Sequence, residues 1–208
     1  MKMVFLGYTG SQLIQNTGNL VRISTNIGYV EIGDSDGRRN FNVKYIEFHA
    51  PSEHKIGGTY FPLEIQIVCS IQDKYWERDK PNMAIVSVIV QRGQESFFLN
   101  MTQVSDWPES GKNLTTSADS NLNLRELFSN TEEYWHYSGT ATHPDLRCQD
   151  DVMWYIIQDV KEAADWQVTI IENLFPKGNS RKLNDESPTL YHSYASYLSY
   201  FLVLGVIL

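Results

Sequence analysis

The 208-residue chain contains 42% hydrophobic and 20% charged residues, an ordinary globular composition that favours one domain with a substantial core. Its formal net charge is −8, and no run of Lys or Arg overrides this acidic average. Nucleic acids and sulfated sugars are bound by basic surfaces that neutralise phosphates or sulfates. We therefore predict no nucleic-acid partner, and sulfated sugars are disfavoured as ligands.

The first ten residues contain no apolar run long enough for the hydrophobic region of a secretory signal peptide. From Ile14 to Ile32, apolar and polar residues alternate weakly, and the pattern is broken at Gly18, Gly28 and Gly33. This pattern predicts short antiparallel strands joined by turns.

The stretch from Tyr45 to Ser70, YIEFHAPSEHKIGGTYFPLEIQIVCS, predicts a strand, a turn at Gly57 and Gly58, and a second strand. Side chains two residues apart share a sheet face, so each strand carries a polar pair on one face. The pairs are Glu47 with His49 on the first strand, and Glu64 with Gln66 on the second. Such pairs indicate either a site at the bottom of a cleft or a hairpin with one hydrated face.

The motif FHAPSEH, followed by a glycine turn and YFPLEIQIV, resembles the core motif of the alpha-class carbonic anhydrases, H-F-H-[WAT]-x-S-E-H and then [AM]-E-[LM]-H-L-V-H. That family binds zinc through two histidines of the first strand and one of the second. The resemblance assigns the three ligand positions to Glu47, His49 and Gln66. Only His49 keeps the family's residue, so the resemblance implies a degenerate metal site.

The resemblance also implies roles for neighbouring residues. Glu53 matches the carboxylate that accepts a hydrogen bond from the threonine that orients the zinc-bound hydroxide, and Glu64 matches the carboxylate that holds the third histidine. His54 matches a structural histidine. Asn19 occupies the position of the proton-shuttling histidine, and its side chain does not titrate near neutral pH, so this catalytic function is lost. We also expect the Gln66 amide to donate to Glu64, which satisfies that pair without a metal.

The run MAIVSVIV, from Met83 to Val90, is typical of a strand buried on both faces and resembles the family's strand beneath the cleft. By the same resemblance, a set of residues lines the substrate pocket. These residues are Val68, Ile85, Ala141, His143 and Trp154.

The segment from Gln103 to Asn123 is rich in Ser, Asn, Asp, Thr and Gly, which predicts a long surface loop. Two triplets, beginning at Asn100 and at Asn113, are N-glycosylation acceptors if the protein is secreted. They give mild support to a secretory route.

The block YWHYSGTATHPDLRC, from Tyr134 to Cys148, resembles the family's Y-W-x-Y-x-G-S-L-T-T-P-P. It places Thr142 at the position of the catalytic gatekeeping threonine, where we expect it to meet Glu53. Read without the resemblance, the block predicts a proline-containing loop packed by its aromatic residues.

Further along, Met153–Ile157 predicts another buried strand and Val160–Leu174 predicts a helix. The helix has an apolar set available for its inner face. This set is Ala163, Trp166, Val168, Ile170 and Leu174.

The resemblance implies a mostly β (α+β) fold with a central, largely antiparallel, twisted sheet and few peripheral helices. We expect a carbonic-anhydrase-like domain over residues 1–183 with a shortened N-terminal segment, followed by a polar spacer and hydrophobic tail over 184–208. The apolar Leu198–Leu208 is shorter than the about 20 residues of a transmembrane helix. It has the form of a GPI-attachment signal; a tail that docks on or inserts into a membrane and a buried terminal strand are the alternatives.

The chain contains two cysteines, Cys69 and Cys148. Cys69 is expected to be a small buried hydrophobic residue. In secreted members of the family, a cysteine near the position of Cys148 pairs with an N-terminal cysteine. A bond between Cys69 and Cys148 is the alternative, and geometry decides between them.

Two functions from different classes follow. The first is a non-catalytic binding or interaction module at a membrane or cell surface, similar to the carbonic-anhydrase-related proteins, with an unknown protein or small ligand as its partner. Gln66 is a neutral amide and a poor metal ligand, so no cofactor is expected, and zinc is the metal if one is bound. The alternative is a lyase of low activity that hydrates carbon dioxide, or an esterase, using Glu47, His49 and the retained pair Thr142 and Glu53.

Overall fold

The computed structural model describes residues 2–5, 7–34, 37–71, 81–128, 133–141, 149–180 and 191–192. The strands in these ranges are β1 (Lys2–Phe5), β2 (Gly7–Thr9), β3 (Leu13–Asn16), β4 (Val21–Ser24), β5 (Gly28–Asp34), β6 (Gly37–His49), β7 (Lys55–Ile56), β8 (Thr59–Tyr60), β9 (Leu63–Ser70), β10 (Met83–Arg92), β11 (Asn113–Thr115), β12 (Asn121–Asn123), β13 (Tyr134–Ala141), β14 (Gln149–Ala163) and β15 (Tyr191–His192). The helices are α1 (Phe97–Met101) and α2 (Asp165–Leu174), with 3₁₀ turns at Val104–Asp106 and Leu124–Leu127.

The fold is organised around an eleven-stranded sheet in the order β11-β3-β4-β6-β9-β10-β14-β13-β15, with β5 pairing with β1 and β6. Strands β10 and β14 are parallel, and the other neighbours in this sheet are antiparallel. The predicted fold class, a largely antiparallel sheet with few helices, is therefore confirmed.

Alternating residues of the central strands form two apolar clusters on opposite faces of the sheet. Strand β9 shows the alternation: Ile65 and Ile67 belong to the main core, which α1 and α2 also contact, whereas Val68 points to the other face. The smaller cluster comprises Val68, Met83, Ile85, Ala141, Val152 and Trp154. It shares its face with the polar residues of β6 and β9, so the sheet separates the main core from the candidate site.

The predicted central hairpin is present as β6 and β9, which pair antiparallel. The connection between them contains the small hairpin of β7 and β8, whose turn is formed by Gly57 and Gly58. Both glycines have positive φ, 58° and 77°, as a tight two-residue turn between antiparallel strands requires. The predicted strands over Ile14–Ile32 and Met83–Val90 are also confirmed, as β3 to β5 and as β10.

The prediction of one long loop from Gln103 to Asn123 is wrong. This segment contains a 3₁₀ turn and the strands β11 and β12, which pair with β3 and β2. Their polar side chains gave no signal of a strand, because a short edge strand is held by main-chain hydrogen bonds and needs no apolar face.

The predicted start of the second helix, at Val160, is also wrong. Strand β14 continues to Ala163, where it still pairs with β10, and α2 begins at Asp165. Trp166 was expected on the inner face of the helix but is 44% exposed. Gln167 is fully buried, because its amide bonds the backbone of Ser96 through both its oxygen and its nitrogen.

Several predictions fall on residues outside the described ranges. These are the roles of Thr142, His143 and Cys148, the boundary at 183/184 and the tail at 198–208. Among the helices that the structure describes, none is both long and apolar enough to span a bilayer. Cys69 is a free, fully buried thiol.

Candidate functional site

Four neighbouring strands each place one polar residue at the same level of the sheet. Arg22 on β4 lies opposite Glu47 on β6, Glu47 lies opposite Gln66 on β9, and Gln66 lies opposite Ser87 on β10. Directly opposed side chains point to the same face. The four residues therefore form a polar row across the cleft face, beside the smaller apolar cluster.

Glu47 forms an ion pair with Arg22. The Nε and Nη2 atoms of the guanidinium each lie 3.2 Å from Oε1 of Glu47. The Arg22 side chain is 13% exposed and that of Glu47 6%, and the guanidinium stacks over the ring of Tyr45, with 4.4 Å from Cζ to the ring centroid. Because the pair is largely shielded from water, each charge stabilises the other.

The amide of Gln66 bridges two carboxylates. Its Nε2 atom donates to Oε2 of Glu53 and to Oε1 of Glu64, both at 2.9 Å. The orientation of the amide follows from these contacts, because its oxygen in the same place would face two carboxylate oxygens.

Glu64 is fully buried and accepts hydrogen bonds from five donors. The donors are the backbone nitrogens of Glu53 and His54, Nδ1 of His54, Nε2 of Gln66 and Oγ of Ser87, at 2.6 to 2.9 Å. Burial alone would raise the pKa of Glu64, but the charge of His54, hydrogen bonds from its ring and backbone, and the Ser87 hydroxyl outweigh burial and hold this pKa well below its ordinary value. Glu64 is therefore a fixed negative charge at neutral pH.

His54 links this carboxylate to the aromatic wall of the cleft. Its Nδ1 contacts Glu64 and its Nε2 contacts the hydroxyl of Tyr137, both at 2.8 Å. The ring also packs edge-on against Trp154, with 5.2 Å between ring centroids. Both nitrogens thus have a partner within the protein, as expected of a structural histidine.

His49 differs from the other polar residues of the site. It is 6% exposed, and within the part of the chain that the structure describes neither ring nitrogen has a hydrogen-bond partner. Oε1 of Glu53 lies 3.7 Å from Nδ1, which is too far for a hydrogen bond. Buried polar atoms normally have partners, so the two nitrogens of His49 are an exception among the described residues of the site.

Four of the five pocket residues named from the sequence lie together on the cleft face. Val68, Ile85 and Trp154 are directly opposed on adjacent strands, and all three belong with Ala141 to the smaller apolar cluster. They are at most 4% exposed. The predicted apolar wall is therefore contiguous with the polar row.

Two of the predicted catalytic positions lie away from this cluster or outside the described residues. Asn19 is exposed in the turn between β3 and β4, where its amide has no titrating proton to transfer. Thr142 and His143 fall in the range 142–148, so the contact of Thr142 with Glu53 stays a prediction.

The residues at the three ligand positions do not fit a zinc ion. A catalytic zinc needs three protein ligands and one open position. Glu47 is paired with Arg22, and the Gln66 nitrogen points at two carboxylates. Within the described ranges, no group of three or more His, Cys, Asp or Glu residues has the arrangement to hold a metal.

Arg22 is a residue of the site that was not identified from the sequence. The signal was an arginine between the apolar Val21 and Ile23 of a predicted strand, which puts its side chain on the face opposite theirs. Identifying Glu47 as its partner requires the pairing of β4 with β6, and these strands are not adjacent in sequence.

The family model of the eukaryotic-type carbonic anhydrases matches residues 2–191. Dioscorin dioA3 of Dioscorea japonica is 26% identical over 201 residues, which cover 93% of this chain and 68% of that protein. Receptor-type tyrosine-protein phosphatase zeta of Homo sapiens is 27% identical over 188 residues, covering 81% of this chain and 8% of that protein.

Among solved structures, a hyperthermostable carbonic anhydrase identified from an active hydrothermal vent chimney matches with a TM-score of 0.72 and 25% identity, covering 91% of this chain and 80% of that one. The chain spans roughly two thirds of the length of the dioscorins it matches. Since the family model covers most of the sequence and the fold agrees with it, the chain belongs to the eukaryotic-type carbonic anhydrase family.

Proposed function

We propose that this chain is a carbonic-anhydrase-like binding module that does not hydrate carbon dioxide. The observation that carries the proposal is the engagement of two of the three ligand positions with other groups: Glu47 with Arg22, and Gln66 with Glu53 and Glu64. These contacts satisfy the site by hydrogen bonds and an ion pair. The cleft keeps an apolar wall and the ring of His49, which no described residue hydrogen-bonds, and this suits binding of a small ligand or of a partner's side chain.

The test is the metal content and hydration activity of the purified chain. The protein is dialysed against trace zinc, its zinc is measured by elemental analysis, and carbon dioxide hydration is followed by stopped flow. A zinc-containing carbonic anhydrase of the same family, treated in parallel, shows that the procedure retains a bound metal. We expect less than about a tenth of a zinc ion per chain, because a site with one good ligand holds zinc weakly. We also expect a rate of carbon dioxide hydration equal to that of the buffer alone. One zinc per chain, or hydration above buffer, would overturn the proposal.

The second candidate is a weak lyase or esterase, and the observation that favours it is the ring of His49, which has no hydrogen-bond partner in the described ranges. An imidazole whose two nitrogens have no hydrogen-bond partner among the described residues can serve as a metal ligand or as a general base. If activity is found, the variant Thr142→Ala tests whether the retained orienting pair contributes to it. Unchanged activity in this variant would count against an enzyme that works through Thr142 and Glu53.

We place the module outside the cell or at the cell surface. The match to a receptor-type protein and the two glycosylation triplets support this location, and the apolar stretch 198–208 supports attachment by a GPI anchor. In eukaryotic cells that express the full chain, a phospholipase specific for phosphatidylinositol should release the protein from the surface. Protein that stays in the cytosol would contradict this placement.

A further inference from the structure

The polar row contains a cation that the family motif does not describe. Arg22 lies on β4, opposite the first ligand position, and its guanidinium contacts the carboxylate there through two nitrogens, both at 3.2 Å. Its neighbours Val21 and Ile23 are fully buried on the other face. The side chain is therefore directed into the cleft by the alternation of the strand.

We infer that Arg22 supplies a positive charge to this cleft and that Arg22, in addition to the two replaced histidines, prevents the site from holding a metal. This inference rests on the proposed function, in which the cleft works without zinc. It assigns to Arg22 a determining role in what the cleft can bind.

The buried carboxylates of the cleft need compensating charges or hydrogen-bond donors. Glu47, Glu53 and Glu64 are 4%, 6% and 0% exposed, and a buried carboxylate without a compensating charge or donor is strongly unfavourable. Glu64 has His54 and its other donors, and Glu53 has the Gln66 amide. Arg22 neutralises Glu47, so a carboxylate at a ligand position is tolerated because an arginine stands opposite to it.

The positive charge of Arg22 opposes the binding of a metal ion in the cleft. A divalent cation held at residue 47 would share that side chain with the guanidinium, and like charges a few ångströms apart repel strongly in a cleft shielded from water. Restoring histidines at positions 47 and 66 removes the carboxylate that neutralises Arg22. The guanidinium then remains as a positive charge beside the restored ligands.

The test is zinc affinity, measured by competition with a chromophoric chelator. The double variant carries Glu47→His and Gln66→His, and the triple variant adds Arg22→Gln. We expect the triple variant to bind zinc at least about 100-fold more tightly than the double variant, because a repulsion between partly buried charges is removed. Arg38→Gln in the double variant is the matched control, because Arg38 lies on the same strand as Glu47 but its side chain is 74% exposed.

The outcomes separate this inference from the proposed function. Equal zinc affinity of the double and triple variants, or no zinc binding by a folded triple variant, overturns the role of Arg22 and leaves the proposed function standing. Bound zinc in the unchanged protein overturns the proposed function.

A second measurement keeps the inference testable if the multiple variants do not fold. Arg22→Met and Glu47→Gln are made singly and together in the unchanged protein. Each single variant should lower Tm by roughly 5 to 10 °C, because it breaks an ion pair that is largely shielded from water, and the combined variant should lose less than the sum of the two. Additive losses would show that Arg22 and Glu47 are not coupled, and would overturn the inference.

Discussion

Replacement of Glu64 by glutamine tests the centre of the site. The substitution keeps the shape of the side chain but removes its charge and replaces one acceptor oxygen by an NH₂ group. All five groups that contact the carboxylate serve as donors to it. The least unfavourable orientation keeps the amide oxygen toward the two backbone nitrogens and turns the NH₂ group toward Ser87, His54 and Gln66.

The magnitude follows from the contacts that this orientation loses. The Ser87 hydroxyl can rotate to accept from the new amide, but Nε2 of Gln66 then faces a donor, and the backbone bonds lose the help of a charge. Hydrogen bonds to charged groups contribute roughly 1.5 to 3 kcal/mol each. We therefore expect Glu64→Gln to lower the free energy of unfolding by about 3 kcal/mol at pH 7, and Tm by roughly 6 to 12 °C.

The pH dependence gives a sharper signature. Folding lowers the pKa of Glu64 below its ordinary value of 4.5. The contribution of Glu64 to stability is therefore complete above pH 4.5, and it is lost as the pH falls from 4.5 toward the pKa of the folded state. In this window the unfolded chain binds the proton and the folded protein does not. The contribution should fall by about 1.4 kcal/mol per pH unit.

The assay is urea unfolding of the native protein, Glu64→Gln and the exposed control Glu126→Gln between pH 7 and pH 3.5. The difference in unfolding free energy between the native protein and Glu64→Gln should be constant down to about pH 4.5 and should shrink below it. A difference that does not change with pH, or a loss below about 1 kcal/mol at pH 7, would refute the assignment of Glu64 as a buried charge held by its donors.

Three further predictions concern the rest of the chain. The chain is directed through the secretory pathway, and N-linked glycan is located by intact-mass and peptide analysis. We expect glycan at Asn113, which is exposed on the edge strand β11. We expect little at Asn100, whose amide oxygen accepts a hydrogen bond from Gln167 at 2.8 Å. The thiol of Cys69 is fully buried, and burial raises its pKa, so with the second cysteine replaced by serine it should react with a thiol reagent only after unfolding; rapid labelling of the folded protein would contradict this. A strong chelator should leave Tm unchanged within about 1 °C, because Arg22 and its partners stabilise the site without a metal.

The central strands could be predicted from side-chain alternation, whereas the fold of the whole sheet and the location of the site were implied by the resemblance to the carbonic anhydrases. Residues of β6 and β9 alternate between an apolar face and a polar face, and this alternation placed the polar pairs of the central hairpin together before strand order was known. The long apolar run that became β10 was equally clear. These elements have strong local patterns, so tertiary contacts reinforce what the sequence already favours.

The arrangement within the site could not be predicted to the same depth. The sequence indicated that Gln66 would donate to Glu64, because both lie on one face of one strand. It did not indicate that the same nitrogen also bonds Glu53, which lies in the connection after β6. The ion pair with Arg22 depends on the pairing of β4 with β6. Contacts between distant segments are set by strand order and register, and neither is visible in a local pattern.

The substitutions at the ligand positions are best understood together. In the family, one ion holds side chains from two strands, and removing it would leave buried polar groups without partners. Here Arg22 joins β4 to β6, and Gln66 joins β9 to the segment that carries Glu53. The floor of the cleft is thus cross-linked by protein groups alone, while His49 is left with open ring nitrogens in the described part of the chain. A carbonic anhydrase that had merely lost its histidines would have unpaired groups throughout the site. Among the described residues of the site, only His49 is left in this way, because the contacts of Arg22 and Gln66 take up the polar groups at the other two ligand positions.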